Sequence, residues 1–178
     1  AIDYDNQGRP NKQYEPQIFA NNNGAYQAPQ SSWKFTETTF YPSPLNRKHT
    51  VTPTDWHTTT YEYGANAASD GIMIDSTTTP YGDGELFKTT VIDANNHKSI
   101  SFGDKKGRQV VSRRTDNSET ESLNFDTKYI FDDKDRRVYT LPPGTDISQK
   151  DVLFFCEYDE EDRKSKEYYP GKATMHYF

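Results

Sequence analysis

The chain is poor in the residues that usually build a core. Ile, Leu and Val together number 19 among 178 residues. With Phe added, these types reach only about a sixth of the chain, a level at which disorder becomes a fair reading. Two counts argue against disorder: aromatic content is 14%, with 13 Tyr, and the net charge is only −6. Disordered chains are short of rings and strongly charged. Rings and Thr favour strands, so the composition predicts a folded β-chain whose core is built largely from rings.

Other absences exclude function classes. A single cysteine, Cys156, rules out an internal disulfide framework. It ends the apolar run VLFFC, residues 152–156, where a buried, inert thiol is expected. No wholly apolar run is longer, and a membrane-spanning helix needs about 20 such residues, so no membrane span is expected. The balance is acidic, with pI about 5.2. Arg113-Arg114 and Arg136-Arg137 are isolated pairs, not the basic face that nucleic acid requires. No long amphipathic helix is legible. The sequence opens on Ala1 rather than Met and contains no signal-peptide pattern, so it reads as a processed or excised piece of something longer.

Motifs for catalysis are missing as well. There is no Gly-x-Ser-x-Gly elbow, phosphate loop or dinucleotide fingerprint. His49, His57, His97 and His176 are scattered without metal-ligand spacing. The 27 acids include no motif that marks a glycosidase pair, which needs two carboxyls about 5–10 Å apart. The expectation is a protein that is no enzyme and takes no cofactor and no metal.

What the chain does have is a recurring turn. Tyr4-Asp5-Asn6-Gln7-Gly8-Arg9 leads to Pro16, Phe131-Asp132-Asp133-Lys134-Asp135-Arg136 to Pro142, and Tyr158-Asp159-Glu160-Glu161-Asp162-Arg163 to Pro170. Asp104-Lys105-Lys106-Gly107-Arg108 keeps the spacing but has Gly103 in the aromatic slot, with Phe102 one place earlier. Asp93-Ala94-Asn95-Asn96-His97 is a degenerate copy. The residue before the Arg or His is Gly, Asp or Asn, the types that tolerate a left-handed backbone.

Each stretch therefore reads as a β-hairpin. The Asp caps the turn by accepting backbone N–H groups. The Gly, Asp or Asn takes the left-handed position, and the Arg opens the return strand and pairs back to the Asp. Alternation in RRVYTLP places Val138, Thr140 and Pro142 on one face and Arg137, Tyr139 and Leu141 on the other. Proline ends the strand because it cannot donate to the ladder. Asp104, Asp132 and Asp159 lie 28 and 27 residues apart, a period typical of stacked units that cover one another. The closing ATMHYF reads as the incoming strand of a further unit. Three regions follow: a hairpin at 1–16, an irregular loop and hairpin insert at 17–88, and hairpin repeats at 89–178, the last truncated. Within the insert, 33–41 is open to a strand or a short helix, and 57–93 reads as hairpins.

These motifs resemble the YD-repeat, or Rhs-type, proteins of bacteria. YDNQGR (4–9), FGDKKGRQVV (102–111), FDDKDRRVYTLPP (131–143) and YDEEDRKSKEYYPG (158–171) carry the resemblance, with PSPLNR (42–47) beside them. It covers 1–16 and 89–178 well and 17–88 poorly. Asp135 and Asp162 depart from it where glycine is usual, and Gly103 displaces an aromatic. The resemblance implies an all-β fold in which tandem antiparallel hairpins form a curved or spiral sheet. It implies a structural segment of a large secreted or cell-surface protein, part of an encapsulating shell. The implied partners are the remaining repeats of the parent and an enclosed C-terminal effector domain or a surface glycan. No self-cleavage segment or effector is visible here.

Two further readings stand beside this one. Asp3 to Gly8 overlaps the start of a calcium loop, but Tyr14 stands where the bidentate glutamate belongs. The acidic run Asp159 to Asp162 reads as solvated. Trp33, Trp56 and the runs TTTYEY and EYY offer an aromatic platform for carbohydrate, the alternative to a core role. Exposed sheet edges offer a third role, binding protein by strand addition.

Overall fold

The computed structural model describes residues 1–17, 25, 27–73, 79–117, 122–172 and 174–177. The chain is all-β, a single 13-stranded antiparallel sheet whose strands lie in chain order, not closed into a barrel. The strands are β1 (Ile2–Tyr4), β2 (Pro10–Tyr14), β3 (Phe35–Phe40), β4 (Lys48–Pro53), β5 (Thr59–Ala65), β6 (Phe87–Ile92) and β7 (Lys98–Gly103). They continue as β8 (Gln109–Asn117), β9 (Ser122–Phe131), β10 (Arg137–Leu141), β11 (Phe154–Tyr158), β12 (Lys164–Tyr168) and β13 (Met175–His176). The only helical pieces among the described residues are single 3-10 turns at Ala68–Asp70 and Lys150–Val152. None is long and apolar enough to cross a membrane.

The chain forms two compact units, Ala1–Glu62 with Val91–His97, and Tyr63–Thr90 with Lys98–Phe178. The expected insert at 17–88 is thus divided between them.

Each recurring turn is a three-residue hairpin loop closed by a bulge. In the first, the Gly8 N–H donates to the Asp5 carbonyl at 3.0 Å and the Asp5 N–H to the Arg9 carbonyl at 2.9 Å. This is a type I turn followed by one left-handed residue. The left-handed residues are Gly8, Asn96, Gly107, Asp135 and Asp162, with φ from 63° to 83°. Register shifts follow at Asp3/Tyr4, Phe102/Gly103, Arg137/Tyr139 and Glu157/Tyr158, as a bulge requires. PSPLNR makes a longer loop of the same plan. The Tyr41 N–H donates to the Arg47 carbonyl at 2.9 Å, and Asn46 takes φ 50°.

One open reading is resolved and two expectations need correction. Residues 35–40 form strand, not helix, because Thr and Phe are β-formers that pair here with β4. The alternation expected along RRVYTLP breaks at the bulge, so Val138 and Tyr139 both pack against one core cluster. The core is also less aromatic than the composition suggests. Among the described residues its buried apolar side chains are Ile72, Leu86, Val110, Val111, Ile130, Leu141, Leu153 and one ring, Phe102. The scarce aliphatics are concentrated, while most rings lie half-buried on the sheet.

All of these residues belong to the second unit. Phe102, Val110 and Val111 lie on the sheet, and the irregular segment between β5 and β6 supplies Ile72 and Leu86 as cover. Ile130 and Leu141 lie on the sheet, and the β10–β11 connection supplies Leu153 and Ile147. A hairpin cannot bury its own face; here the connections fold back over it. Asn66 fastens the first cover, which lies in the long connection of the β5–β6 pair. Its side chain donates to the Gly82 carbonyl at 2.9 Å and accepts the Leu86 N–H at 2.7 Å.

Candidate functional site: the interlocked turns

The aspartate that opens each turn is fully used within it. Asp5 Oδ1 accepts the N–H groups of Gln7 and Arg9, both at 2.9 Å, and Oδ2 accepts Arg9 Nε at 2.7 Å. Asp104 does the same with Lys106 and Arg108, Asp132 with Lys134 and Arg136, and Asp159 with Glu161 and Arg163. At Asp93 the histidine substitutes, with His97 Nδ1 3.1 Å from Oδ2.

These contacts set the electrostatics. The backbone N–H of Arg9 is the main influence holding the Asp5 carboxyl below its ordinary pKa. The Arg163 guanidinium leads for Asp159. For Asp104 and Asp132, burial opposes ionisation, and the amide and guanidinium of the paired arginine outweigh it. The same use of oxygens bears on the calcium reading. Asp5 is committed to the turn, and Asp3 Oδ2 accepts the Tyr14 hydroxyl at 2.8 Å. Among the described residues no three His, Cys, Asp or Glu side chains converge as metal ligands.

The arginines also reach forward to the next hairpin. Arg108 lies 4.7 Å over the Phe131 ring, and its Nη1 donates to Asp135 Oδ1. Lys106 donates to that same oxygen at 2.7 Å. One hairpin later the arrangement repeats. Arg136 lies 4.5 Å over Tyr158, and Arg136 and Lys134 both donate to Asp162 Oδ1. Arg9 lies 4.4 Å over Phe40 and reaches the Tyr41 carbonyl at 3.5 Å. A guanidinium stacks on an aromatic face while its edge makes charge-assisted hydrogen bonds. Each such turn is thereby clasped to its successor by one ring and one oxygen.

Arg163 differs. It pairs with Asp159 and with Glu161, which stands where the earlier turns carry Lys106 and Lys134. Its side chain is 73% exposed, against 26% for Arg108 and 23% for Arg136.

Of the residues expected at the turns, Tyr4 and Tyr158 end strands β1 and β11, Gly8, Gly107, Asp135 and Asp162 take the left-handed position, and Asp5, Asp104, Asp132 and Asp159 face Arg9, Arg108, Arg136 and Arg163 across the loops. The sequence reading missed Lys106 and Lys134, and it gave Asp135 and Asp162 only the left-handed position, noting that they stand where glycine is usual. They are acceptors for the preceding turn. The signal was present: Asp replaces Gly where the turn before carries Lys two residues ahead of its Arg.

The other ring candidates are dispersed. Trp33 packs edge-on to Tyr14, whereas Trp56 is 73% exposed. Tyr61 accepts the Tyr41 hydroxyl at its carbonyl. Phe155 stacks on Tyr168 at 3.7 Å, with Tyr139 beyond at 5.6 Å, so these rings use their faces on one another. Beside them Glu167 accepts Lys164 and the Tyr177 hydroxyl, led by Lys164, and its pKa falls to about 2. The Cys156 thiol donates to Glu167 at 3.7 Å and is pushed up by burial.

Fold and site together define a class, an open antiparallel sheet of successive hairpins with interlocked turns. No protein-family model matches the chain, and no curated protein matches it.

Proposed function

We propose that the chain is a structural segment of a large secreted or cell-surface protein of the Rhs/YD-repeat kind, part of an encapsulating β-shell, and that it is not an enzyme. The observation that carries this reading is the forward clasp, repeated from Arg108 to Asp135 and from Arg136 to Asp162. A clasp of this kind spends its charged groups on holding neighbouring hairpins in register, which is the task of a wall. The carboxylates with lowered pKa at the turns are each bound to their own arginine or histidine. The reading assigns them no catalytic step. The partners it implies are further hairpins of the same kind, with an enclosed effector domain or surface glycan as cargo or contact.

A thermal melt of residues 1–178 beside a chain ending at Asp151 tests the reading. The truncation removes β11 to β13 and the buried Leu153. A wall segment of stacked units keeps a cooperative transition at a lower temperature. A chain that no longer folds belongs to one closed core and contradicts the proposal.

A further inference from the structure

The clasps between successive turns share one register. Counted three places outward from the pairs Lys12–Glu37, Val111–Lys128 and Tyr139–Phe155, the ladder sets Arg9 opposite Phe40, Arg108 opposite Phe131 and Arg136 opposite Tyr158. Each guanidinium lies over the ring it faces. The residue two places before the arginine also tracks the left-handed residue of the next turn. Lys106 and Lys134 stand in that place, and the turns that follow carry Asp135 and Asp162, each accepting both the lysine and the arginine. Gln7 stands there before Arg9, and the loop that follows carries the uncharged Asn46 at φ 50°. A carboxylate is thus found where two cations come forward, and an amide where one does.

At the turn of residues 158–163 the charge changes. Glu161 takes the lysine place, and Arg163 is bound to Asp159 through Nε and to Glu161 through Nη2, both at 2.8 Å. No described ring covers this guanidinium. Beside it β13 continues the ladder: Lys166 pairs with His176, and the Tyr177 N–H donates to the Ser165 carbonyl at 2.9 Å. Three places outward from Lys166–His176, the position opposite Arg163 is the one that follows Phe178. We infer that this turn docks one further hairpin of the same polypeptide, with an aromatic residue directly after Phe178 and an uncharged left-handed residue, asparagine or glycine, in place of aspartate. The inference rests on the wall reading and adds to it the chemistry of the next neighbour. The ring stacks on Arg163, as in the earlier clasps. One cation and one anion come forward here, so a carboxylate at the left-handed position gains no net attraction and meets Glu161 as a like charge. An asparagine amide donates to Glu161 instead, and both asparagine and glycine tolerate the left-handed backbone. The residue two places before the arginine therefore selects which hairpin follows, by attraction to one charge and rejection of the other.

Chains extended beyond Phe178 by a copy of residues 131–141 test this. The copy opens on phenylalanine, which falls opposite Arg163, and its left-handed residue is kept as aspartate in one chain and made asparagine in another. The asparagine chain is expected to melt above the 178-residue parent, and above the aspartate chain by about 2 °C or more. Glu161→Lys restores two forward cations and is expected to reverse the order of the two extended chains. Arg163→Ala, which leaves the parent almost unchanged, is expected to remove the gain of the asparagine chain, as is serine in place of the opening phenylalanine. The inference is overturned if the aspartate chain melts as high as the asparagine chain, if Glu161→Lys leaves their order as it was, or if the extended chains melt with the parent. None of these results bears on the cooperative melt of the chain ending at Asp151, by which the wall reading itself stands or falls.

Discussion

The two units are held by different means. The second, residues 63–90 with 98–178, buries two aliphatic clusters under folded-back connections and clasps its turns with arginine. The first, residues 1–62 with 91–97, has no fully buried apolar side chain among its described residues. Rings, threonines and one arginine stack hold it: Tyr14 against Phe35 at 5.4 Å, the Thr39–Thr50 hydroxyl contact at 2.6 Å, and Arg9 on Phe40. The difference shows how a chain short of aliphatics folds. It places them in one region and leaves the other to half-buried contacts, which stabilise less because little surface leaves water.

The largest expected effect breaks the stronger unit. Phe102 has no exposed surface, and Phe102→Ala should cost about 3–5 kcal/mol. Trp33→Ala, at a half-buried ring of the first unit, should cost about 1–2 kcal/mol. Urea unfolding followed by circular dichroism and by tryptophan fluorescence separates the two, since Trp33 and Trp56 both lie in the first unit. Phe102→Ala should lower the circular dichroism midpoint more than the fluorescence midpoint. Equal shifts would mean that the units unfold together.

A smaller loss is expected from the ion pair beside that core. Arg113 is buried, bonds both oxygens of Asp126 at 2.7 and 2.8 Å, and donates to the Asp70 carbonyl at 2.9 Å. Asp126→Ala leaves the guanidinium buried without its carboxylate, at about 3 kcal/mol. Denaturant midpoints check it, and a change within error would place Arg113 in water.

Acid should reveal a third, weaker term. Glu167 ionises near 2 rather than 4.5, so folding favours its charged form. Its contribution is complete above the unfolded value and is lost as pH falls from 4.5 towards about 2. Glu167→Gln should flatten the fall of melting temperature across that window. A variant whose profile keeps the parent slope there would remove Glu167 from the account.

The turns were legible in the sequence because their physics is local. A left-handed residue, an aspartate two residues from an N–H and an arginine four residues on are all specified within one short stretch. What was not legible depends on distant pairing. The role of Asp135 becomes visible only once β8 and β9 set Arg108 beside Phe131. Ile72, Leu86 and Leu153 lie in segments without alternation, so no period marks them as core. The Asn66 tie spans 16 residues to Gly82 and 20 to Leu86, too far along the chain for local turn chemistry to mark it.

The forward clasp is the central claim, and a double-mutant cycle on Arg108 and Asp135 tests it most directly. Asp135→Gly keeps the left-handed turn, as Gly8 and Gly107 do, and removes the acceptor. Arg108→Ala removes the donor, and the double variant closes the cycle, so that losses within each turn cancel. Arg163→Ala, where the arginine clasps no later turn, serves as the control and should stay within about 0.5 kcal/mol of the parent. The account predicts a favourable coupling of about 0.5–1 kcal/mol between Arg108 and Asp135. Strict additivity would mean that the turns stand side by side without holding one another.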